Sequence, residues 1–184
     1  MALIAICGSQ GQGKTTVLAS LQELGYTVSF PKTSRSILNE WDVSLEEVNR
    51  NPQLKMKFQD EIIQRHYLHN MQFVDTPAIV FTERSFADIF VYTILSLGPF
   101  NEFSQWLDEY YERCKDYQKI YQNIFKLEGR VDDVENDGVR SVNRHFTQSV
   151  DTLLRYYLDD FGVNVNIIDD PDHESRIKLI SDWV

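Results

Sequence analysis

Cysteine is scarce in this sequence. Cys7 and Cys114 are the only two, they lie far apart, and neither belongs to a CxxC pair. That usage argues against a disulfide framework or a structural zinc site, and it suits a reducing cytoplasm. The histidines, His66, His69, His145 and His173, show no ligand spacing with cysteine or carboxylates, so zinc is not expected. No stretch approaches the ~20 apolar residues of a membrane helix, so no membrane partner is expected either. Positive charge is in deficit: 18 Lys and Arg stand against 28 Asp and Glu, for a formal net charge of −10. Such a surface repels a duplex backbone, which disfavours nucleic acid as a partner but leaves room for a local basic cleft around a small anion. Internal repeats and low-complexity tracts are also missing. At 184 residues the chain reads as a single domain, 1–184, long enough to bury a core without staples. A glycine-rich loop beginning at residue 8 leaves no space for a signal peptide ahead of it.

With few glycines and prolines, each one punctuates the pattern clearly. Leu3-Ile4-Ala5-Ile6-Cys7 is a continuously apolar run closed by Gly8, which predicts a buried parallel strand. Val17, Leu18, Leu21 and Leu24 then recur at helical spacing until Gly25. Tyr26 to Phe30 alternates as a second strand and Pro31 ends it. Thr33 to Val74 reads as two or three helices, the last starting at Pro52. Ala78 to Thr82 is a third buried strand. Helices are predicted over Phe86–Leu97, from Asn101 to Arg113, from Thr147 to Phe161 and near Ser175 to Trp183. Further strands are predicted over Ile120–Leu127, where Gln122 and Asn123 weaken the pattern, and from Val163 to Ile168. Strands alternating with helices predict a parallel sheet covered on both faces, with a binding crevice at the carboxyl ends of the strands.

Between the first strand and first helix, Gly8-Ser9-Gln10-Gly11-Gln12-Gly13-Lys14-Thr15 matches G-x-x-x-x-G-K-[ST] at every defined position. The glycines permit backbone conformations closed to other residues, so that amides can approach phosphate oxygens. Those amides and the helix start form a positive nest for an anion. Gly11, Gln12, Gly13, Lys14, Thr15 and Thr16 are the nucleotide-binding residues expected here. Lys14 would neutralise β- and γ-phosphate charge, and the Thr15 hydroxyl would join a Mg²⁺ shell. ATP is the expected ligand, with Mg²⁺ as the accompanying ion.

A second element follows the third strand: Glu83-Arg84-Ser85, with Asp88 close behind. A carboxylate there faces the phosphate loop in this architecture. It can bind Mg²⁺ through water or take a proton from an attacking hydroxyl. Arg84 offers a planar, permanently charged donor to phosphate. The plainer alternative makes Glu83 and Arg84 a strand-end ion pair and Asp88 a first-turn charge suited to the helix dipole.

Leu3 to Thr16 together with Phe81-Thr82-Glu83-Arg84-Ser85-Phe86-Ala87-Asp88 resembles the P-loop nucleoside and nucleoside-monophosphate kinases. Deoxynucleoside kinases carry a similar Glu-Arg-Ser or Asp-Arg-Ser triplet, and thymidylate kinases an Asp-Arg pair. Asp137-Gly138-Val139-Arg140-Ser141 is similar to the lid segment of a kinase-like AAA-domain family that includes phage proteins and the nicotinamide-riboside kinase module. The resemblance spans most of the chain in order, with the phosphate loop its most specific part. It implies an α/β P-loop fold of five mostly parallel strands with helices on both faces. A small lid is expected over about 128–144. The implied chemistry is phosphoryl transfer from ATP, with Glu83 as metal-shell residue or base and Arg84 as a phosphate clamp. A Walker B acidic pair, a sensor segment and an oligomer-forming lid domain are missing, so a hydrolytic motor is not implied.

In kinase-like folds the lid brings arginines to the transferring phosphoryl group. Arg130, Arg140 and Arg144 occupy that segment here, with Arg140 and Arg144 expected to be catalytic. A solvated surface loop with loosely paired charges is the plain alternative. Arg35 follows the second strand, where a guanidinium would border the acceptor pocket, and Asp88 is a further candidate for substrate binding. Lys119 and Lys126 are expected to be surface charges. The expected activity is transfer of the γ-phosphoryl group of ATP to a nucleotide or nucleoside, first of all a deoxynucleoside monophosphate, because Arg35, Arg84 and the lid arginines exceed what one triphosphate needs. A nucleoside acceptor, a modified base in DNA and a nucleotide-dependent regulatory switch are the alternatives. A homodimer is compatible with the sequence but not specified by it.

Overall fold

Alternation along the first strand decides the architecture. In strand β1, Ala2–Cys7, the odd residues Leu3, Ala5 and Cys7 enter one core cluster, while Ile4 and Ile6 enter another on the opposite face. A strand buried on both faces needs helices on both faces, and that is what surrounds it. The computed structural model describes residues 2–32, 34–97, 103–129 and 143–184.

The other elements in chain order are α1 (Lys14–Glu23), β2 (Thr27–Ser29), α2 (Ser34–Trp41), α3 (Leu45–Arg50), α4 (Pro52–Met71), β3 (Ile79–Glu83), α5 (Phe86–Leu97), α6 (Ser104–Gln118), β4 (Asn123–Glu128), α7 (Arg144–Asp160), β5 (Val165–Asp169) and α8 (His173–Trp183). The sheet has the order β2-β3-β1-β4-β5, and every pairing is parallel. The expected mostly parallel sheet is therefore wholly parallel. β1 is central: the chain builds β2 and β3 on one side of it, then crosses to build β4 and β5 on the other. The carboxyl end of β1 is thus the point at which the strand order reverses, and the phosphate loop leaves the sheet there.

On one face α1 and α8 bury Val17, Leu18, Leu21, Ile177 and Ile180 against Ile4, Ile6, Phe81 and Phe125. The other face carries the larger core, built from α2 to α7 and including Phe58, Ile63, Phe86, Phe90, Tyr110 and Leu154. The helical stretch after Pro31 resolves into three pieces for local reasons. Ser44 and Glu47 form a reciprocal capping box that starts α3. Asn51 caps α4 through the Leu54 amide at 3.0 Å, with Pro52 in its first turn.

Two boundaries differ from the sequence expectation in ways that matter for the site. α7 begins at Arg144, not Thr147, because the Asn143 side chain accepts from the His145 amide at 2.9 Å and caps a turn earlier. Arg144 is therefore a helix residue. Glu128 closes β4 and is buried, so it belongs to the sheet and not to a loop. The expected lid residues Arg130 and Arg140 lie outside the described residues.

Candidate functional site

Gly8 must be glycine. It leaves β1 with φ +140°, and a Cβ there would stand 2.7 Å from the Leu127 carbonyl oxygen. That contact sets the phosphate loop directly against β4. At the loop's far end Gly13 adopts a left-handed conformation (φ 77°), and α1 starts at Lys14 with its amides aimed back at the loop. Gln12 and Lys14 are buried here, while Thr15 and Thr16 face outward. The Lys14 ammonium donates to the carbonyls of Gly8 at 2.9 Å and Ser9 at 2.8 Å. Burial, reinforced by the Arg84 charge and opposed by Asp88 and Glu83, lowers its pKa to about 8.

The strand that neighbours β1 brings the second element alongside. Glu83 stands in register with Ile6, and the Arg84 amide extends the ladder by bonding to the Ile6 carbonyl at 3.0 Å. Glu83 Oε1 lies 3.5 Å from Thr15 Oγ1, so carboxylate and hydroxyl share one side of the loop mouth. Arg84 turns the chain in a left-handed conformation (φ 72°), which costs a non-glycine residue about 1–2 kcal/mol. Its guanidinium sits over the Tyr92 ring, 5.0 Å from the centroid. The Tyr92 hydroxyl bonds to the Arg84 side chain and to the Gln10 backbone of the loop. Burial works against the Arg84 charge, but Tyr92, Glu83 and Asp88 outweigh it and raise its pKa.

Asp88, expected near the acceptor, is wholly buried. Its carboxylate accepts from the Ser85 amide at 2.8 Å, the Ser85 hydroxyl at 2.7 Å and the Gly8 amide at 3.3 Å. It ties the β3–α5 turn to the start of the phosphate loop, which is a positioning task. The N-terminus of α5 is completed by Gln118, whose side-chain oxygen accepts from the amides of Phe86 at 2.7 Å and Ala87 at 3.1 Å. Arg35 lies exposed in the first turn of α2, and Arg144 lies exposed in the first turn of α7.

Several residues are brought to the loop only by the fold. His66 is buried under Arg84: its ring bonds to the Arg84 backbone and, at 3.0 Å, to the Tyr121 hydroxyl. Asn70 donates to the same hydroxyl at 3.0 Å and accepts from Thr82 of β3 at 3.0 Å. Arg176 of α8 is fully buried, and its guanidinium donates to the carbonyls of Gln12, Glu128 and Asp170. It joins the phosphate loop to the ends of two strands. Lys126, expected at the surface, is completely buried and paired with Glu128 and Asp151. A signal for it existed: Ile124-Phe125-Lys126-Leu127 puts a charge inside an apolar strand, and a charge there must be paired. Arg176 gave no such signal, because it borders the apolar stripe of an ordinary amphipathic helix.

Among the described residues no group of three His, Cys, Asp or Glu gathers to hold a metal. Thr15 and Glu83 are hard oxygen donors set close together, which fits Mg²⁺ completed by phosphate oxygens and water. Cys7 and Cys114 are buried and burial raises both thiols, so neither is a nucleophile. No described helix is long and apolar enough to cross a membrane.

A family model described as an AAA domain matches residues 3–176. No curated protein sequence matches the chain. Among solved structures, NadR protein in complex with NR superposes with a TM-score of 0.70 at 19% identity over 99% of this chain and 50% of that one. Deoxyadenosine kinase from M. mycoides with bound dATP superposes at 0.68 and 15% identity, over 100% of this chain and 98% of that one. YorR protein from Bacillus subtilis, in complex with phosphorylated GDP, gives 0.53 and 15% over 98% and 94%. The chain spans about half the length of the NadR chains it matches. At these identities the likeness is one of fold, a kinase-like P-loop fold.

Proposed function

The chain belongs to this AAA-domain family of kinase-like P-loop proteins, and from that premise we propose that it transfers the γ-phosphoryl group of ATP to a nucleotide or nucleoside. The observation that carries this reading is the pairing of Glu83 with Thr15 across the loop mouth, 3.5 Å apart, with Arg84 beside them. A nucleotide-binding loop alone implies only binding. A carboxylate and a guanidinium brought to its phosphate end supply what transfer needs.

In this reading Gly11 to Thr16 cradle the triphosphate, Lys14 neutralises its β- and γ-oxygens, and Thr15 and Glu83 hold Mg²⁺. The ion would offset charge on the phosphate oxygens. Arg84 would orient the phosphoryl group, and Arg140 and Arg144 are the further arginines assigned to its charge. The bond from the γ-phosphorus to the bridging oxygen breaks, a bond to the acceptor oxygen forms, and ADP leaves. A phosphate acceptor is already anionic and needs no base. A hydroxyl acceptor must surrender its proton, and Glu83 would have to take it.

A deoxynucleoside monophosphate is the acceptor we favour. Asp88 and Asp151, two described carboxylates beside the loop, are both committed to other partners. Glu83 would have to serve both metal and proton if the acceptor were a hydroxyl. The exposed Arg35 after β2 is suited to an acceptor phosphate. The Glu-Arg-Ser triplet speaks for a nucleoside instead.

A panel of nucleosides, monophosphates and DNA, assayed for phosphorylated product, decides among these. Monophosphates are expected to give product. Glu83→Gln is expected to lower turnover by about 10²-fold or more while ADP binding changes little. If no member of the panel is phosphorylated or stimulates ATP turnover, a nucleotide-dependent switch becomes the better account.

A further inference from the structure

One carboxylate bolts α7 to the phosphate loop. The Ser9 hydroxyl donates to Asp151 Oδ2 at 2.9 Å, and the Ser9 amide approaches Asp151 Oδ1 at 3.4 Å. Ser9 itself is completely buried. From below, the buried Lys126 ammonium lies 3.4 Å from the same Oδ1 and pairs with Glu128. Arg155, one turn beyond Asp151, grips both oxygens of Glu128. A continuous polar chain thus runs from the loop through the end of β4 into two successive turns of α7. Its four charges sum to zero, so removing any one leaves a buried or half-buried charge uncompensated.

The spacing along α7 gives this chain a direction. Arg144 and Asp151 are seven residues apart, which places them on one face of the helix, separated by about 10 Å along its axis. Fixing Asp151 against Ser9 therefore fixes where the first turn of α7 stands relative to the phosphates. We infer that Asp151 is a positioning residue that couples the phosphate loop to α7 and thereby sets Arg144 for transfer. This inference rests on the kinase reading for its catalytic half only. The mechanical half, coupling of loop to helix, stands apart from it.

The test separates the two. Hydrogen exchange is measured on the full chain with and without MgADP, for wild type, Asp151→Ala and Asp151→Asn. MgADP is expected to slow exchange in the first turns of α7 in the wild type. That protection should vanish in Asp151→Ala and weaken in Asp151→Asn, which keeps an acceptor for Ser9 but loses the charge facing Lys126. ADP affinity should stay within about threefold, because Lys14 and the amides from Gly11 to Thr16 make no bond to Asp151. In the transfer assay Asp151→Ala is expected to lower kcat by about tenfold or more, and to add little in an Arg144→Ala background. Protection of α7 that persists in both Asp151 variants overturns the inference. So does a loss of ADP affinity as large as that of Lys14→Ala, which would mean that Asp151 only shapes the loop. If Asp151→Ala does not fold, Asp151→Asn carries the comparison. A wild type that transfers no phosphate defeats the kinase reading, while the exchange measurement still decides the coupling.

Discussion

Lys14 is subject to two opposed demands. It must be charged to meet a triphosphate, yet it lies buried, with the Arg84 charge close by. Its pKa of about 8 records the balance, and it gives a sign to the pH dependence of binding. Phosphate charge favours the ammonium, so binding raises this pKa. Above about pH 8 the free protein has lost part of that proton, and nucleotide binding must draw it back from solution. MgADP affinity should therefore fall as pH rises through about 8. Titration calorimetry in two buffers of different ionisation enthalpy should show proton uptake at about pH 8.5 and little at about pH 6.5. Lys14→Met should abolish the uptake together with most of the affinity. Equal uptake at both pH values would show that another group titrates.

Individual elements meet at the loop through long-range staples, and Arg176 is the clearest of them. Its donors reach the carbonyl of Gln12, which is 164 residues away in the sequence, and the carbonyls that end β4 and precede α8. The planar fork matters as much as the charge, because three separate carbonyls are addressed at once. Arg176→Met leaves these acceptors without their donor in a buried place. A destabilisation of about 3–5 kcal/mol is expected from urea unfolding, with MgADP binding weakened by roughly tenfold as the loop loosens. Arg176→Lys should restore part of the stability but not the full affinity. Unchanged unfolding and binding in Arg176→Met would show that α8 merely covers the sheet. Element boundaries were largely legible beforehand: Gly25, Pro52 and the apolar run before Gly8 act within a few residues. The start of α7 was not, because Asn143 falls inside the stretch expected to form the lid, about 128–144, and acts instead as a helix cap.

For the molecule as a whole, a buried imidazole links stability to pH. His66 is held neutral beneath β3 and α5, its pKa lowered to about 3 by burial, with the Arg84 charge adding to the effect. An unfolded chain would protonate it near its ordinary value of about 6.5. The folded pKa is the lower one, so stability is complete above about pH 6.5 and declines as pH falls toward 3. By about pH 5 the loss from this group alone is about 2 kcal/mol. Urea unfolding at several pH values should show this slope in the wild type and a shallower one in His66→Gln. An unaltered slope would show that carboxylates alone govern acid stability. His66 also supports the left-handed Arg84 backbone, so the variant should disturb Arg84 as well.

The sequence by itself determined what is local. The phosphate loop was legible because its glycine geometry, its lysine and the following helix occupy consecutive residues. The parallel sheet was legible because β1 is apolar throughout, which only burial on both faces explains. Glu83 and Arg84 were legible as the end of an apolar strand. Tertiary structure alone decided which side chains serve those parts. Only folding could bury Asp88 between Ser85 and Gly8, bring Asp151 to Ser9, and draw Arg176 under Gln12. Hydrogen bonds and ion pairs depend on distances of a few ångströms, and residues far apart in the chain acquire such distances only when the sheet order β2-β3-β1-β4-β5 is assembled.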